Sequence, residues 1–261
     1  MKFNQIMLFF GLTLPVSVVL RFLQISFTVE TNTGFYISGF QNHGTLLLFS
    51  ILLCSILMMI FARMTFKQKT NPPKYNIPLC ISSLLLSVAL GNEVFVQLTS
   101  PAILFWQALL IKLFGVISAV YFLVLAFSFA LKFKIPDILS TIPTVYLIIR
   151  MICDFTSISK LALISDNVII IAVYCFMLLF FLNYAKLYNK MDDEKNSKKL
   201  LSYGLSSVIM CFTNSIPNFV THFTTPTGYS HTPMSTNISV LFFGIFIFTF
   251  VISHFKQKNE N

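Results

Sequence analysis

Eight long apolar runs, separated by short polar segments, dominate this chain of 261 residues. A helix of about 20 apolar residues crosses the hydrocarbon core of a bilayer. Charged residues make up only 10% of the chain, whereas a soluble protein carries about 25%. We therefore predict an all-α, polytopic membrane bundle that forms a single transmembrane domain over residues 1–261. The predicted helices cover residues 6–27, 45–62, 78–98, 103–131, 138–157, 167–187, 200–221 and 237–254.

The basic residues lie almost entirely in alternate loops. If every run crosses the membrane, fourteen of the 18 Lys and Arg fall on one side, Lys160 falls on the other, and three lie within helices. Because basic loops stay in the cytoplasm, we predict a multi-pass protein of the cell membrane with both termini cytoplasmic. The fourteen are Lys2, Arg63, Lys67, Lys69, Lys74, Lys132, Lys134, Lys186, Lys190, Lys195, Lys198, Lys199, Lys256 and Lys258.

The fourth and fifth runs are the least regular of the eight. The fifth, 138–157, contains Arg150 and Asp154; without it, the segment from Lys186 to Lys199 would move to the other side and the charge asymmetry would disappear. The asymmetry therefore favours a crossing here. The fourth, 103–131, is longer than a crossing needs, so either it is tilted or its first part, 102–111, lies in the interface.

Seven polar side chains inside the predicted helices fall in the outer parts of those helices. Charged groups are costly in the membrane and are functional candidates by default. Three cations face two carboxylates in this set, so a pocket built from it would be positively charged and would favour a small anionic ligand such as a carboxylate or phosphate. The candidate ligand-binding residues are Arg21, Glu93, Lys112, Arg150, Asp154, Asn214 and Asn218.

The same residues also allow a purely structural interpretation. Arg150 and Asp154 are four residues apart on one helix and can pair locally. Glu93 can pair with Lys112 across a hairpin, and Arg21 can extend its side chain outward to the interface. Both interpretations stay open at the level of the sequence.

No motif for a cofactor, a metal or a nucleotide is present. His43, His222 and His231 are predicted on the outer side, but their spacing matches no metal-ligand pattern. Basic residues in the loops of a membrane protein account for the net charge of +9, so we expect no nucleic-acid partner. The five cysteines fall inside apolar runs and read as buried hydrophobic residues, not as disulfides or zinc ligands. They are Cys54, Cys80, Cys153, Cys175 and Cys211.

An internal repeat and a resemblance to other membrane proteins both bear on the topology. Pro15 and Arg21 in the first run recur as Pro143 and Arg150 in the fifth, which predicts a parallel repeat of four helices plus four. Separately, the pattern of six short motifs resembles a group of multi-spanning membrane proteins of low-GC Gram-positive bacteria. The motifs are Arg21, Glu30, Thr33-Gly34-Phe35, Pro143, Arg150 and Ser165-Asp166. No activity is known for that group, so the resemblance implies an eight-helix fold and no mechanism.

The leading functional hypothesis is binding of a small anionic ligand in an outward-facing pocket, as a sensor or as the membrane subunit of a larger complex. Besides the lipid bilayer, a protein partner would then contact the loop from Lys186 to Lys199. The alternatives are a secondary transporter of a small anion and a structural or assembly protein without a ligand. An enzyme acting on lipid or peptidoglycan precursors would need Glu93 or Asp154 as a base, and we expect no catalytic role.

Overall fold

The computed structural model describes residues 3–30, 35–66, 76–99, 105–131, 133–158, 165–189, 194–224 and 233–256. Within these ranges the chain forms eight α-helices, which confirms the predicted all-α bundle. A 3₁₀ turn, Asp137–Thr141, precedes the fifth helix. The helices are α1 (Phe3–Thr28), α2 (Gln41–Thr65), α3 (Ile77–Thr99), α4 (Phe105–Leu131), α5 (Ile142–Ile158), α6 (Ser165–Tyr188), α7 (Glu194–Thr224) and α8 (Met234–Lys256).

The two ends of the bundle differ in their charged residues. One end, here called the basic end, carries Arg63 in the last turn of α2, Lys186 in the last turn of α6, and Lys195 in the first turn of α7. Phe3 of α1 and Phe255 of α8 stack at this end with ring centroids 6.1 Å apart. The first and last described turns of the chain therefore lie at the same end of the bundle. The opposite end is called the polar end.

Seven of the eight helices are long and apolar enough to cross a membrane, and α7 is the exception. Buried serine, threonine and asparagine side chains lower the hydropathy of α7. It nevertheless packs against both α6 and α8. Near the basic end, Asn196 Nδ2 donates to the Asn183 carbonyl of α6 at 3.3 Å; toward the polar end, Asn214 Nδ2 donates to Asn237 Oδ1 of α8 at 3.3 Å. α7 therefore runs beside α6 and α8 and alternates with them in direction.

Gly204 provides a test of this central position of α7. A Cβ atom added at Gly204 would lie 2.7 Å from Val251 Cγ2 of α8 and 3.2 Å from the Phe180 ring of α6. We expect Gly204→Leu to lower the free energy of unfolding by about 1–3 kcal/mol, because the inserted side chain overpacks the contact between the three helices. Thermal unfolding of the protein in detergent measures this loss. Gly11→Leu in α1 is the matched control, since nothing lies within 4 Å of its added Cβ; equal losses in the two variants would contradict the packing of α7.

Aromatic rings fill the middle of the bundle and its basic-end half. Phe122 of α4 meets Phe181, Phe243 and Phe246 edge to face, with centroids 5.2 to 6.1 Å apart. Closer to the basic end, the hydroxyl groups of Tyr121 and Tyr184 lie 3.1 Å apart. Edge-to-face packing of this kind adds to the apolar burial. This half of the bundle is therefore a dense aromatic core.

Several helices begin or end a few residues from their predicted limits. α7 begins at Glu194 and not at residue 200, because Asn196 hydrogen-bonds to α6 and holds its polar first turns in the bundle. Residues 137–141 form a 3₁₀ turn in place of the first turn of the predicted fifth helix; there, Ser140 Oγ donates to the Asp137 carbonyl at 2.6 Å. In the fourth segment, Phe105 to Ile111 belongs to the same continuous helix as the residues that follow, whereas 102–104 lies outside the described residues.

Candidate functional site

A buried ion cluster at the polar end joins three helices around Arg150. Arg150 of α5 lies with Nη1 2.7 Å from Glu93 Oε1 of α3 and with Nε 3.0 Å from Asp154 Oδ2, one turn further along α5. Its Nη2 donates to Thr236 Oγ1 of α8 at 3.2 Å, and that hydroxyl donates to Glu93 Oε1 at 2.9 Å. The three guanidinium nitrogens thus each contact a different oxygen-bearing side chain. We call this set of four residues the Arg150 cluster.

The members of the Arg150 cluster differ in their exposure. Arg150 and Glu93 are buried, whereas the Asp154 side chain is 24% exposed. The guanidinium also lies 6.0 Å from the ring centroid of Tyr174 on α6, a cation–π distance. Asp154 is therefore the one carboxylate of the cluster that can leave Arg150 for solvent without crossing the protein interior.

A second buried ion pair ties the α1–α2 hairpin to the rest of the bundle. Arg21 of α1 is fully buried; its Nη2 pairs with Asp166 Oδ1 in the first turn of α6, and its Nη1 donates to Gln24 Oε1 at 2.6 Å. The side-chain amide nitrogen of Gln24, Nε2, donates to the Gly44 carbonyl of α2 at 2.8 Å and to the Tyr36 hydroxyl at 3.1 Å. We call Arg21, Gln24 and Asp166 the Arg21 cluster.

Gly44 is required where these groups meet. The Tyr36 ring packs so closely on α2 that a Cβ atom at Gly44 would lie 2.1 Å from Tyr36 Cε1. The ring can hold its hydroxyl against the amide of Gln24 only because residue 44 has no side chain. Gly39, two residues before α2 begins, has a φ of 92°. Glycine adopts this conformation without strain.

The remaining predicted residues lie outside the two ion clusters. Asn214 and Asn218 are buried on α7, and Asn214 bonds to Asn237 of α8, the residue next to Thr236. Lys112 is half-buried on α4 and makes no ion pair with any residue that the structure describes. The structure therefore brings Glu93, Arg150 and Asp154 together, places Arg21 in a separate cluster, and leaves Lys112 apart from both.

These contacts test the two pairings and the outward extension of Arg21 expected from the sequence. The local pair of Arg150 and Asp154 is confirmed. The pairing of Glu93 with Lys112 is wrong, because Glu93 Oε1 contacts Arg150 of α5 and Thr236 of α8 instead. The outward extension of Arg21 is also wrong, because its guanidinium is enclosed in the bundle with a carboxylate to neutralise it.

Gln24, Asp166 and Thr236 are the three cluster residues that the sequence prediction missed. Asp166 directly precedes the predicted helix 167–187, although a carboxylate in the first turn of a helix is favoured by the helix dipole. Including it gives three cations and three carboxylates within the polar-end parts of the helices, so the excess of positive charge inferred from the sequence is not present. Thr236 carries no charge, and no pattern in the sequence distinguishes it from other hydroxyl residues.

The polar groups form a layer across one end of the bundle. From the α1–α2 hairpin it passes through Asp166 on α6, the asparagines of α7 and Asn237 on α8 to the Arg150 cluster. We call this layer the polar belt. Within the described ranges, no three His, Cys, Asp or Glu side chains are arranged to hold a metal ion; His231 lies outside those ranges. None of the five cysteines, all of which are described, forms a disulfide.

The fold and the polar belt define an integral, multi-pass membrane protein whose helices contact the lipid bilayer. Comparison with protein-family models, with curated proteins and with solved structures finds no match to the chain.

Proposed function

We propose that this protein binds a small anionic ligand at the Arg150 cluster, from one side of the membrane, as a sensor or as the membrane subunit of a larger complex. The observation that carries the proposal is the unequal exposure of the two carboxylates on Arg150, with Glu93 buried and Asp154 24% exposed. Asp154 acts as an internal ligand that an incoming anion replaces.

The exchange preserves the electrostatics of the cluster. Nε of Arg150 loses the carboxylate of Asp154 and gains the carboxylate or phosphate of the ligand, so the guanidinium keeps an anionic acceptor throughout. Glu93 and Thr236 hold the other two nitrogens in place. A guanidinium fixed in this way is preorganised for the anionic oxygen of a carboxylate or phosphate, which lowers the entropic cost of binding.

The basic end supports one orientation of the protein in the membrane. Arg63, Lys186 and Lys195 lie at the end of the bundle that also contains the first turn of α1 and the last turn of α8. The positive-inside rule supports a cytoplasmic location for this end and an external location for the polar belt, in the cell membrane. The ligand would then arrive from outside, and a protein partner would contact the segment from Lys186 to Lys199, of which residues 190–193 lie outside the described ranges.

The aromatic core favours binding over transport. A transport path needs polar groups that face each side in turn, whereas Phe122, Phe181 and Phe246 fill the bundle below the polar belt. The parallel repeat of four helices, which would support the transporter, stays a prediction. A structural protein without a ligand remains the alternative to be separated by experiment.

The experiment compares anion binding by the wild type and by Asp154→Asn. Acetate, succinate, inorganic phosphate and glycerophosphate are titrated against the detergent-purified protein while its thermal unfolding is followed. A ligand stabilises the folded state by RT ln(1 + [L]/Kd), which is about 2.7 kcal/mol at a hundredfold excess over Kd. We expect Asp154→Asn to tighten anion binding about tenfold, equivalent to about 1.4 kcal/mol, because the competing carboxylate is gone.

Asp137→Asn is the matched control, since it removes the same charge from an exposed turn at the basic end. It should leave the dissociation constant unchanged. If ethylammonium stabilised the protein and the anions did not, the ligand would be a cation and the proposal would be wrong. No stabilisation by any anion in either protein would leave the cluster with a structural role alone.

A further inference from the structure

Four side chains in the middle of the polar belt carry buried polar atoms that have no hydrogen-bond partner among the described residues. Each side chain is more than nine-tenths buried. Native structures rarely leave such atoms unpaired, because a buried donor or acceptor without a partner is costly. The atoms are Asp166 Oδ2, Asn167 Nδ2, Asn214 Oδ1 and Asn218 Nδ2.

The packing of α6 against α7 places Asp166 and Asn218 at the same depth along the bundle axis. The two helices are antiparallel, and the Phe180 ring of α6 lies beside Gly204 of α7. Fourteen residues from each of these positions toward the polar end, about 21 Å along each helix, are Asp166 and Asn218. Asp166 and Asn218 are therefore level with each other across the contact between α6 and α7.

The other two asparagines lie next to this pair. Asn214 is one turn from Asn218 on the same face of α7, and its amide bonds to Asn237 of α8. Asn167 lies beside Asp166 in the first turn of α6, on the face that carries Tyr174 two turns further along. By helix register, the four residues therefore lie within about one turn of a common level on α6 and α7, and they link Asp166 of the Arg21 cluster with Asn237, the neighbour of Thr236 in the Arg150 cluster.

The hydrogen-bonding character of the four atoms specifies which kind of molecule could bind to them. The two amide nitrogens of Asn167 and Asn218 donate, and the oxygens of Asp166 and Asn214 accept. The charge of Asp166 is already balanced by Arg21, so an ion placed here would have no counter-charge in a low-dielectric interior. A partner must therefore be uncharged and must both donate and accept hydrogen bonds.

We propose that Asp166, Asn167, Asn214 and Asn218 form a binding site, the central amide site, for a small uncharged molecule that donates and accepts hydrogen bonds. Ordered water and a primary carboxamide share this chemistry. The site is separate from the anion site at Arg150 and does not depend on it. Because Asn237 follows Thr236 on α8, the two sites contact adjacent residues of one helix.

The test measures thermal unfolding of the full-length protein in detergent, with and without acetamide as the probe. The variants are Asn218→Leu, Asn167→Leu and the double variant. If one bound molecule bridges both amides, each single substitution lowers the Tm by about 2–4 °C, and the second adds much less than the first because the bridge is already lost. Ser118→Ala is the control, since it removes a buried hydroxyl on α4 that has no partner among the described residues.

The acetamide titration separates the two sources of ligand. A rise in the Tm of the wild type, absent from both single variants, assigns the site to a carboxamide-bearing solute. No rise, combined with losses that do not add, assigns it to ordered water; both results support the site. Losses of Tm that add fully overturn the site, because they indicate independent packing effects of the two leucines. Leucine variants as stable as the wild type and as Ser118→Ala also overturn it, because they indicate amides that bind no molecule.

Discussion

Arg150→Met is expected to lower the free energy of unfolding by about 3–5 kcal/mol. The substitution removes the partner of Glu93 and leaves a buried carboxylate without a counter-charge, and breaking a buried ion pair from one side has a cost of this size. Thr236 would keep only one of its two hydrogen bonds in the cluster. Unfolding of the purified protein in mixed micelles, followed by tryptophan fluorescence of Trp106 or by circular dichroism, measures the loss.

The double variant Arg150→Met, Glu93→Gln checks the cause of that loss. Removing both charges leaves a neutral amide beside Thr236, so much of the lost stability should return. Arg63→Met is the matched control, because Arg63 is exposed in the last turn of α2; we expect it to change stability by less than about 0.5 kcal/mol. Equal effects of Arg63→Met and Arg150→Met would show that the Arg150 cluster contributes nothing specific.

Arg21→Met is expected to have an effect of similar size, about 3–5 kcal/mol, but in a different part of the molecule. Asp166 would lose its counter-charge, and Gln24 would lose the donor that now satisfies its carbonyl oxygen. Because the Arg21 cluster joins α1 and α2 to α6, we expect the hairpin to loosen first. Hydrogen exchange resolved along the chain should show faster exchange in the polar-end halves of α1 and α2 than in α5.

The companion variant Arg21→Met, Asp166→Leu removes both charges and should recover most of the stability. Asp137→Asn, at an exposed position of the basic end, controls for the loss of a carboxylate and should leave exchange unchanged. Uniform acceleration of exchange across all helices in Arg21→Met would contradict a local role for the Arg21 cluster. Unchanged exchange would contradict the ion pair itself.

The sequence predicted the helices well because hydropathy is a local property. Each apolar run has to span the same thickness of hydrocarbon, so length and composition together locate seven of the helices. The same reasoning located the polar end, since polar residues are counted along a run and not across the bundle. The one interaction within a cluster that was predicted correctly, between Arg150 and Asp154, is also local, four residues apart on a helix.

The long-range partners could not be predicted, because they depend on how the helices pack. Thr236 bonds to Glu93 from 143 residues away, and Arg21 bonds to Asp166 from 145 residues away. Several carboxylates and hydroxyls lie at a similar depth, and hydropathy does not choose among them. The predicted sixth helix begins at residue 167, one residue after Asp166, whereas α6 begins at Ser165 and includes Asp166 in its first turn.

The separation of Arg21 from Asp166 has a consequence for the biogenesis of the protein. A chain inserted into the membrane during its synthesis presents α1 long before α6, and 145 residues take about 7–30 s at 5–20 residues per second. For that interval the guanidinium of Arg21 has no carboxylate to neutralise it, and water at the interface is the favourable place for it. The hairpin of α1 and α2 therefore enters the bilayer as an incomplete unit, and emergence of α6 permits it to dock.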